Sequence, residues 1–372
     1  MGTGFDGRGR TCLHVGTPKS GTTYLQERLR LNAAGLEQQG VHYPVAPSWA
    51  LSSVDPSFRA ALDLLGQQWG VPASQIRGQW RRVSGAARRH DGVTVLSHEV
   101  LAGATPDVVR RALDDLAGQE VHVVLTVRDL SRTLPGAWQE SIKQGRTWTF
   151  ERFLARSRQG RTWFSRALDP VRVLSRWGEA LPPERVHVVV TPAGAAPREL
   201  LWERFAQAAG LAPSAAPVVP TADNASLGAA EAHLLRLVNC RLVDGPAGSA
   251  HRGPREQFVV NDVLVPRLRN ATVSAAPVLL PPDAHEWVST TTSEWIEWIE
   301  THGVDVIGDL DELRPKPTDP SRWVDPDGPV DPPARHAARE MAEMVAEALA
   351  RPEPLRQRVR RRRARLVAER RQ

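Results

Sequence analysis

A short apolar run at 11–16 (TCLHVG) opens into the turn-rich segment Gly16, Thr17, Pro18, Lys19, Ser20, Gly21, Thr22, Thr23, and a helical pattern carrying Leu25, Leu29 and Leu36 follows over 21–39. A strand, a loop and a helix in that order bring successive backbone N–H groups and a helix N-terminus to one place, where they converge on an anion. The segment is therefore expected to cradle a phosphate. Against the pattern GxxxxGK[ST] of nucleoside-triphosphate sites, Gly16 and Gly21 fit, but the lysine position holds Thr22, and no apolar strand ends in the Asp that would hold magnesium. An ATP or GTP hydrolase is disfavoured. Lys19 instead lies inside the loop, where its ammonium can curl toward a group attached beyond the cradled phosphate.

The rarity of lysine sharpens that reading. Of the 48 basic residues only Lys19, Lys143 and Lys316 are lysine. In so arginine-rich a chain, a retained compact ammonium points to a site that a wide, forked guanidinium would not fit. The net charge of +6 suggests a polyanion partner until it is located: 351–372 hold ten Arg against Glu353 and Glu369, and without them 38 basic residues face 40 acidic ones. No nucleic-acid partner is expected of the body, and any acidic partner or surface would belong to this tail.

Further β-rich runs at 93–97, 121–127 and 186–191 alternate with helical stretches at 106–117 and 197–209, which predicts an α/β fold with a parallel sheet flanked by helices. After residue 224 the pattern is mainly helical, over 227–242 and 287–302, with a late short strand within 304–310. The expected organisation is one α/β domain at 1–315, a proline-rich extended linker at 316–334 (within PKPTDPSRWVDPDGPVDPP) and a basic helical tail at 335–372. With 372 residues, 41% of them apolar, the chain can bury a large core, and no apolar stretch approaches the eighteen or so residues of a membrane span. The N-terminal MGTGFDGRGR lacks a signal peptide's apolar core, and Asp6 stands where a myristoylation signal needs Ser or Thr, so a cytoplasmic location is expected. Cys12 and Cys240 lack partners at metal or redox spacing and are expected to be buried thiols.

Arg128 follows the 121–127 run and should project from a strand's C-terminal end, where open α/β sheets bind ligands. Its fork suits a phosphate dianion, and Asp129 is placed to orient it. His98 and Glu99 end the run VLSHE, where side chains alternate between faces, so one of the two should face the cleft. Trp138 and Lys143 share a helix but stand about 140° apart around it, so they make no common site. Trp138 is expected in the core, whereas Lys143 is expected either to reach a ligand or to be solvated. Trp295, Trp298 and Ile299 form a helical stripe expected in the core. Twelve Trp against two Tyr find no explanation in the fold alone.

The segment TPKSGTTYLQ resembles the 5′-phosphosulfate loop of sulfotransferases that use 3′-phosphoadenosine 5′-phosphosulfate (PAPS), and VRDLSRTLPGAWQES at 127–141 resembles that family's 3′-phosphate strand and helix. GVHYP at 40–44, VLSHE at 95–99 and GDLDEL at 308–313 are similar to pieces of its bacterial members, so the resemblance covers about 11–315. It implies a P-loop type of nucleotide-binding fold and transfer of a sulfuryl group from PAPS to a hydroxyl of a carbohydrate, a lipid or a specialised metabolite. The product is 3′-phosphoadenosine 5′-phosphate (PAP), and no metal is required. By matching position, Ser20, Gly21, Thr22 and Thr23 would hold the 5′-phosphate by amides and hydroxyls, with Pro18 in the same cofactor-binding loop and Lys19 at the bridging oxygen, where charge grows during in-line transfer. Arg128 would grip the 3′-phosphate. The family's partner Ser, eight residues later, is Gly136 here, and Ser131 could take its place. Glu99 matches the base in register, with His98 as the other candidate. The alternatives are a P-loop phosphotransferase using ATP, and a non-catalytic nucleotide-binding protein that works through its tail.

Overall fold

A computed structural model describes residues 9–45, 54–194, 196–221, 226–244, 264–270, 276–328 and 332–350. The basic stretch 351–372 lies outside these described residues.

Six strands, β1 (Arg10–His14), β2 (Val41–His42), β3 (Val93–Ser97), β4 (Glu120–Val127), β5 (Val186–Val190) and β6 (Asp305–Ile307), form one sheet in the order β2-β3-β1-β4-β5-β6. Every pairing is parallel. The predicted α/β sheet is therefore present, and the late strand forms its edge. β3 and β5 are buried along their whole length and β4 along all but its first residue, because helices cover both faces. Leu13, Leu96, Val123 and Val188 pack on one side with Val109 and Val173 from the helices Pro106–Asp114 and Pro170–Trp177. Cys12, Val95, Val124 and Val189 pack on the other with Leu25, Leu29 and Phe205 from the helices Thr22–Leu31 and Arg198–Ala209. Each such aliphatic side chain contributes about 1.5–3 kcal/mol when taken from water.

The strand order reverses at β1, with β3 on one side and β4 on the other. The helix after β1 covers one face and the helix after β3 the opposite one, so a crevice opens at the carboxyl ends of β1, β3 and β4. All three candidate sets, the 16–23 loop, His98 with Glu99, and Arg128, leave the sheet there.

The described residues divide into two compact units, one within 1–133, 163–222 and 287–315, the other within 134–162, 223–286 and 316–372. By contacts, 134–162 and the described part of 223–286 group with the described residues after 315, whereas the sequence suggests one domain over 1–315. The proline-rich segment is also not a free linker. Asp327 pairs with Arg236 at 3.2 Å and accepts the Phe150 N–H, and His233 Nδ1 donates to the Pro326 carbonyl at 2.6 Å. These contacts tie it to the helix Ala229–Asp244, on which the helix Pro332–Ala350 also packs.

In this second unit Trp138 is fully buried, its indole donating to the Trp148 carbonyl at 3.0 Å, and Lys143 lies 3.8 Å from Glu140. In the first unit Trp295 and Ile299 are buried as expected, whereas Trp298 of the same stripe is half-buried. Cys12 is buried, and burial pushes its thiol up to about 12. Cys240 is half-buried, and neither cysteine is in a disulfide. No helix among the described residues is long and apolar enough to cross a membrane.

Candidate functional site

The loop after β1 is shaped by what lies beneath it. A Cβ at Gly16 would stand 2.6 Å from Thr126 Oγ1 and 2.8 Å from His14 Nε2, so only glycine lets the loop sit this close to β4. Gly21 heads the helix Thr22–Leu31 with φ 92°, a left-handed backbone that a side chain disfavours. Lys19 has φ 67° without being glycine. Such residues persist where their surroundings over-determine them, and they cluster at ligand sites.

Those surroundings can be resolved to individual protons. Ser20 Oγ donates to the Thr17 carbonyl at 2.6 Å, so its 2.6 Å contact with Thr126 Oγ1 must be one in which it accepts. Thr126 spends its one hydroxyl proton there and accepts from His14 Nε2 at 3.1 Å. Burial pushes His14 down to about 4, so at neutral pH the ring is neutral with its proton on Nε2, and Nδ1 accepts from Ser97 Oγ at 2.7 Å. One directed chain therefore runs from β3 through β1 and β4 into the loop. Thr191 Oγ1, donating to the Ser20 carbonyl at 2.9 Å, adds a tie from the end of β5.

Two of the hydroxyls expected at the phosphate have other partners in this structure. The Ser20 hydroxyl is engaged beneath the loop, and the Thr22 hydroxyl bonds the Glu99 carboxylate. What the loop still offers an anion is the N–H groups of Gly21, Thr22 and Thr23, which have no intrahelical acceptor at a helix start, and the exposed Thr23 hydroxyl. Pro18 is buried and Lys19 half-buried.

Thr126→Val is isosteric but strands the His14 N–H and removes the donor to Ser20. We expect it to lower unfolding free energy by about 1–3 kcal/mol, read from the urea midpoint, with most of the loss restored in Thr126→Ser. An unchanged midpoint in the Val variant would contradict the proton assignment.

Arg128 leaves the end of β4 and donates from Nη1 to the Lys19 carbonyl at 3.3 Å. Its Nε is buried without a hydrogen-bond partner among the described residues. Burial, helped by nearby Arg132 and opposed by Asp129, pushes the guanidinium down to about 10, so it stays charged at neutral pH. A desolvated cation with an unsatisfied donor, joined to the loop, is what an anion ligand requires before its anion arrives. Asp129 does not orient it as expected. Its carboxylate accepts the Ser131 N–H at 2.8 Å and the Ser131 hydroxyl at 2.8 and 2.9 Å. In this structure the Ser131 hydroxyl proton is directed at Asp129. Gly136 follows buried Pro135 in the helix Leu130–Lys143 and offers no hydroxyl.

His98 and Glu99 make different further contacts at the end of β3, although His98 Nδ1 stays 3.8 Å from Glu99 Oε2. His98 caps the short turn Glu99–Gly103, accepting the Val100 N–H at Nδ1 (3.3 Å), and its ring turns toward Phe58. Glu99 turns to the loop helix, where Gln26 Nε2 donates to Oε2 at 3.3 Å and Thr22 adds its hydroxyl. Burial would raise the Glu99 carboxyl, but His98, its own backbone N–H, Thr22 and Gln26 outweigh it and hold it below the ordinary carboxylate value. The side chain keeps 27% of its surface open, so a carboxylate stands at the loop with access for a proton donor.

Sequence reasoning missed His14, Thr126 and Gln26. A histidine within an otherwise apolar strand, two residues before the loop, was the available signal. No family model matches the chain, and no curated protein or solved structure does.

Proposed function

We propose that the chain is a PAPS-dependent sulfotransferase of P-loop type, moving a sulfuryl group to the hydroxyl of an acceptor. The observation that carries this reading is the convergence on one crevice of a loop with Lys19 in left-handed backbone, a buried Arg128 with an unsatisfied Nε, and the Glu99 carboxylate. PAPS presents three matching features: a 5′-phosphate for the amides of Gly21, Thr22 and Thr23, a 3′-phosphate for Arg128, and a transferable group beyond the first phosphate for Lys19. In transfer, the acceptor oxygen bonds to sulfur, the bond from sulfur to the bridging oxygen breaks, the hydroxyl proton passes to Glu99, and PAP leaves with the electron pair. Lys19 stabilises the charge that grows on the bridging oxygen, and Glu99 strengthens the nucleophile as it attacks.

Calorimetric titration tests the reading. PAP is expected to bind in the presence of a chelator and at least about tenfold more tightly than adenosine 5′-phosphate, because a charge-assisted bond to the extra phosphate contributes about 1.5–3 kcal/mol. Binding of ATP with magnesium in place of PAP would favour the phosphotransferase. PAP binding without sulfate transfer to any hydroxyl would favour the non-catalytic alternative.

A further inference from the structure

Three aromatic side chains beside Glu99 and His98 have no part in the chemistry so far. Phe58, from the helix Pro56–Leu65, stacks on the His98 imidazole with centroids 4.6 Å apart and planes 23° apart. Trp69 meets the Phe58 ring edge-on at 6.4 Å and Trp163 edge-on at 5.3 Å, so the group extends outward from His98, whose Nδ1 lies 3.8 Å from Glu99 Oε2. Trp69 is 42% exposed, and its indole N–H already donates to Gln67 at 2.6 Å, so what it offers outward is apolar ring surface. Its backbone is left-handed, with φ 42°. Among the described residues only one other non-glycine residue shares that conformation, Lys19 in the loop. A bulky side chain held so against its own preference marks a position the surroundings enforce, as ligand sites do.

The polar groups in this wall are donors. Because Val100 donates to His98 Nδ1, the neutral imidazole carries its proton on Nε2. Neither this N–H nor the Trp163 indole N–H meets an acceptor among the described residues, and neither is sealed from solvent.

The geometry points to an acceptor subsite, formed by Phe58, Trp69, Trp163 and His98, for a hydroxylated ring with an apolar face: a saccharide laid on the aromatic wall with one hydroxyl at Glu99. This assignment rests on the sulfotransferase reading. The electron-rich faces of the indoles attract the polarised C–H groups of a sugar ring. The two N–H donors call for further oxygens on the same ligand. A phenol that spends its one oxygen at Glu99 would leave both unpaired, a penalty that polar sites turn into discrimination. An acyclic alcohol would lose more rotor freedom for the same contact.

The test uses the full chain with PAPS and measures PAP release against neutral mono- and disaccharides, 4-nitrophenol and 1-hexanol, with PAP affinity measured in parallel. Saccharides are expected to be the accepted class. Trp69→Ala should raise their KM about tenfold or more, with kcat changed less than about threefold and PAP affinity unaltered, the split expected of lost ground-state binding. Trp163→Phe, which keeps an aromatic ring but deletes the N–H and part of the indole face, should raise KM by about threefold or more. If PAP binds but only the phenol or hexanol is sulfated, or no saccharide is, the subsite is overturned while the sulfotransferase reading stands or falls on its own test. A Trp69→Ala KM within twofold of the intact chain overturns it too. Failure of the intact chain to bind PAP removes the sulfotransferase reading and the subsite with it.

Discussion

Lys19→Ala is expected to slow turnover by about 10²–10³ while PAP affinity stays within about threefold, because the ammonium's main partner is charge that exists only in the transition state. The split is expected to be sharp because the loop has backbone ties of its own. Its backbone at 19 is held through the Lys19 carbonyl by Arg128, and at 20 by the Thr17 and Thr126 contacts. Lys19→Arg should not restore the rate. A guanidinium keeps the charge but spreads it over a planar fork that needs more room than a half-buried ammonium occupies. Single-turnover rates with PAPS, beside calorimetry with PAP for each variant, separate the two quantities. Equal losses in rate and in PAP affinity would make Lys19 a binding residue only. Unchanged turnover in the alanine variant would remove it from the mechanism.

The loop was legible because everything that defines it is local: an apolar run, two glycines six and one positions from Thr22, and a helical repeat. The strands were legible for a related reason. Burial on both faces leaves continuous apolar runs such as 121–127 that need no knowledge of their neighbours. What escaped depends on contacts distant in sequence. The helix expected over 21–39 breaks at Asn32, whose amide donates to the Arg28 and Val218 carbonyls while its oxygen accepts the Val218 N–H. A residue 186 positions away decides that break, and no helical pattern contains it. The proline-rich segment read as a spacer because its composition forbids helix, yet composition is silent about the Asp327 and Arg236 pairing that fastens it. His14 read as one more residue of a buried strand, and its role appears only when Ser97 and Thr126, 83 and 112 residues away, come to its two nitrogens. The same holds for Trp69. Nothing in twelve tryptophans singles it out until its backbone angle and its Phe58 and Trp163 neighbours are known.

Glu99→Gln should lower kcat by about 10²–10⁴, the range a positioned general base supplies, while leaving PAP affinity near that of the intact chain. The choice of Glu99 over His98 rests on lone pairs. The one unprotonated nitrogen of a neutral His98 accepts the Val100 N–H, so the ring has no vacant lone pair with which to take a proton unless it gives up that cap. Glu99 is held below the ordinary carboxylate value, first against burial, by His98, its backbone N–H, Thr22 and Gln26, so it is ionised throughout the neutral range. The pH dependence follows in sign. A base with a depressed pKa is competent above that pKa and is lost only as pH falls through it, so the acid limb of kcat should lie below about 4.5, where the intact fold permits measurement. A base other than a carboxylate held low would not place the limb there. His98→Asn provides the comparison, because asparagine can still accept at a cap position but has no titrating group. It should raise the KM of a saccharide acceptor through the lost Nε2–H and keep kcat within about tenfold. A His98→Asn loss as deep as that of Glu99→Gln, together with an acid limb that Glu99→Gln leaves in place, would make the histidine the base and leave the carboxylate as the group that orients it.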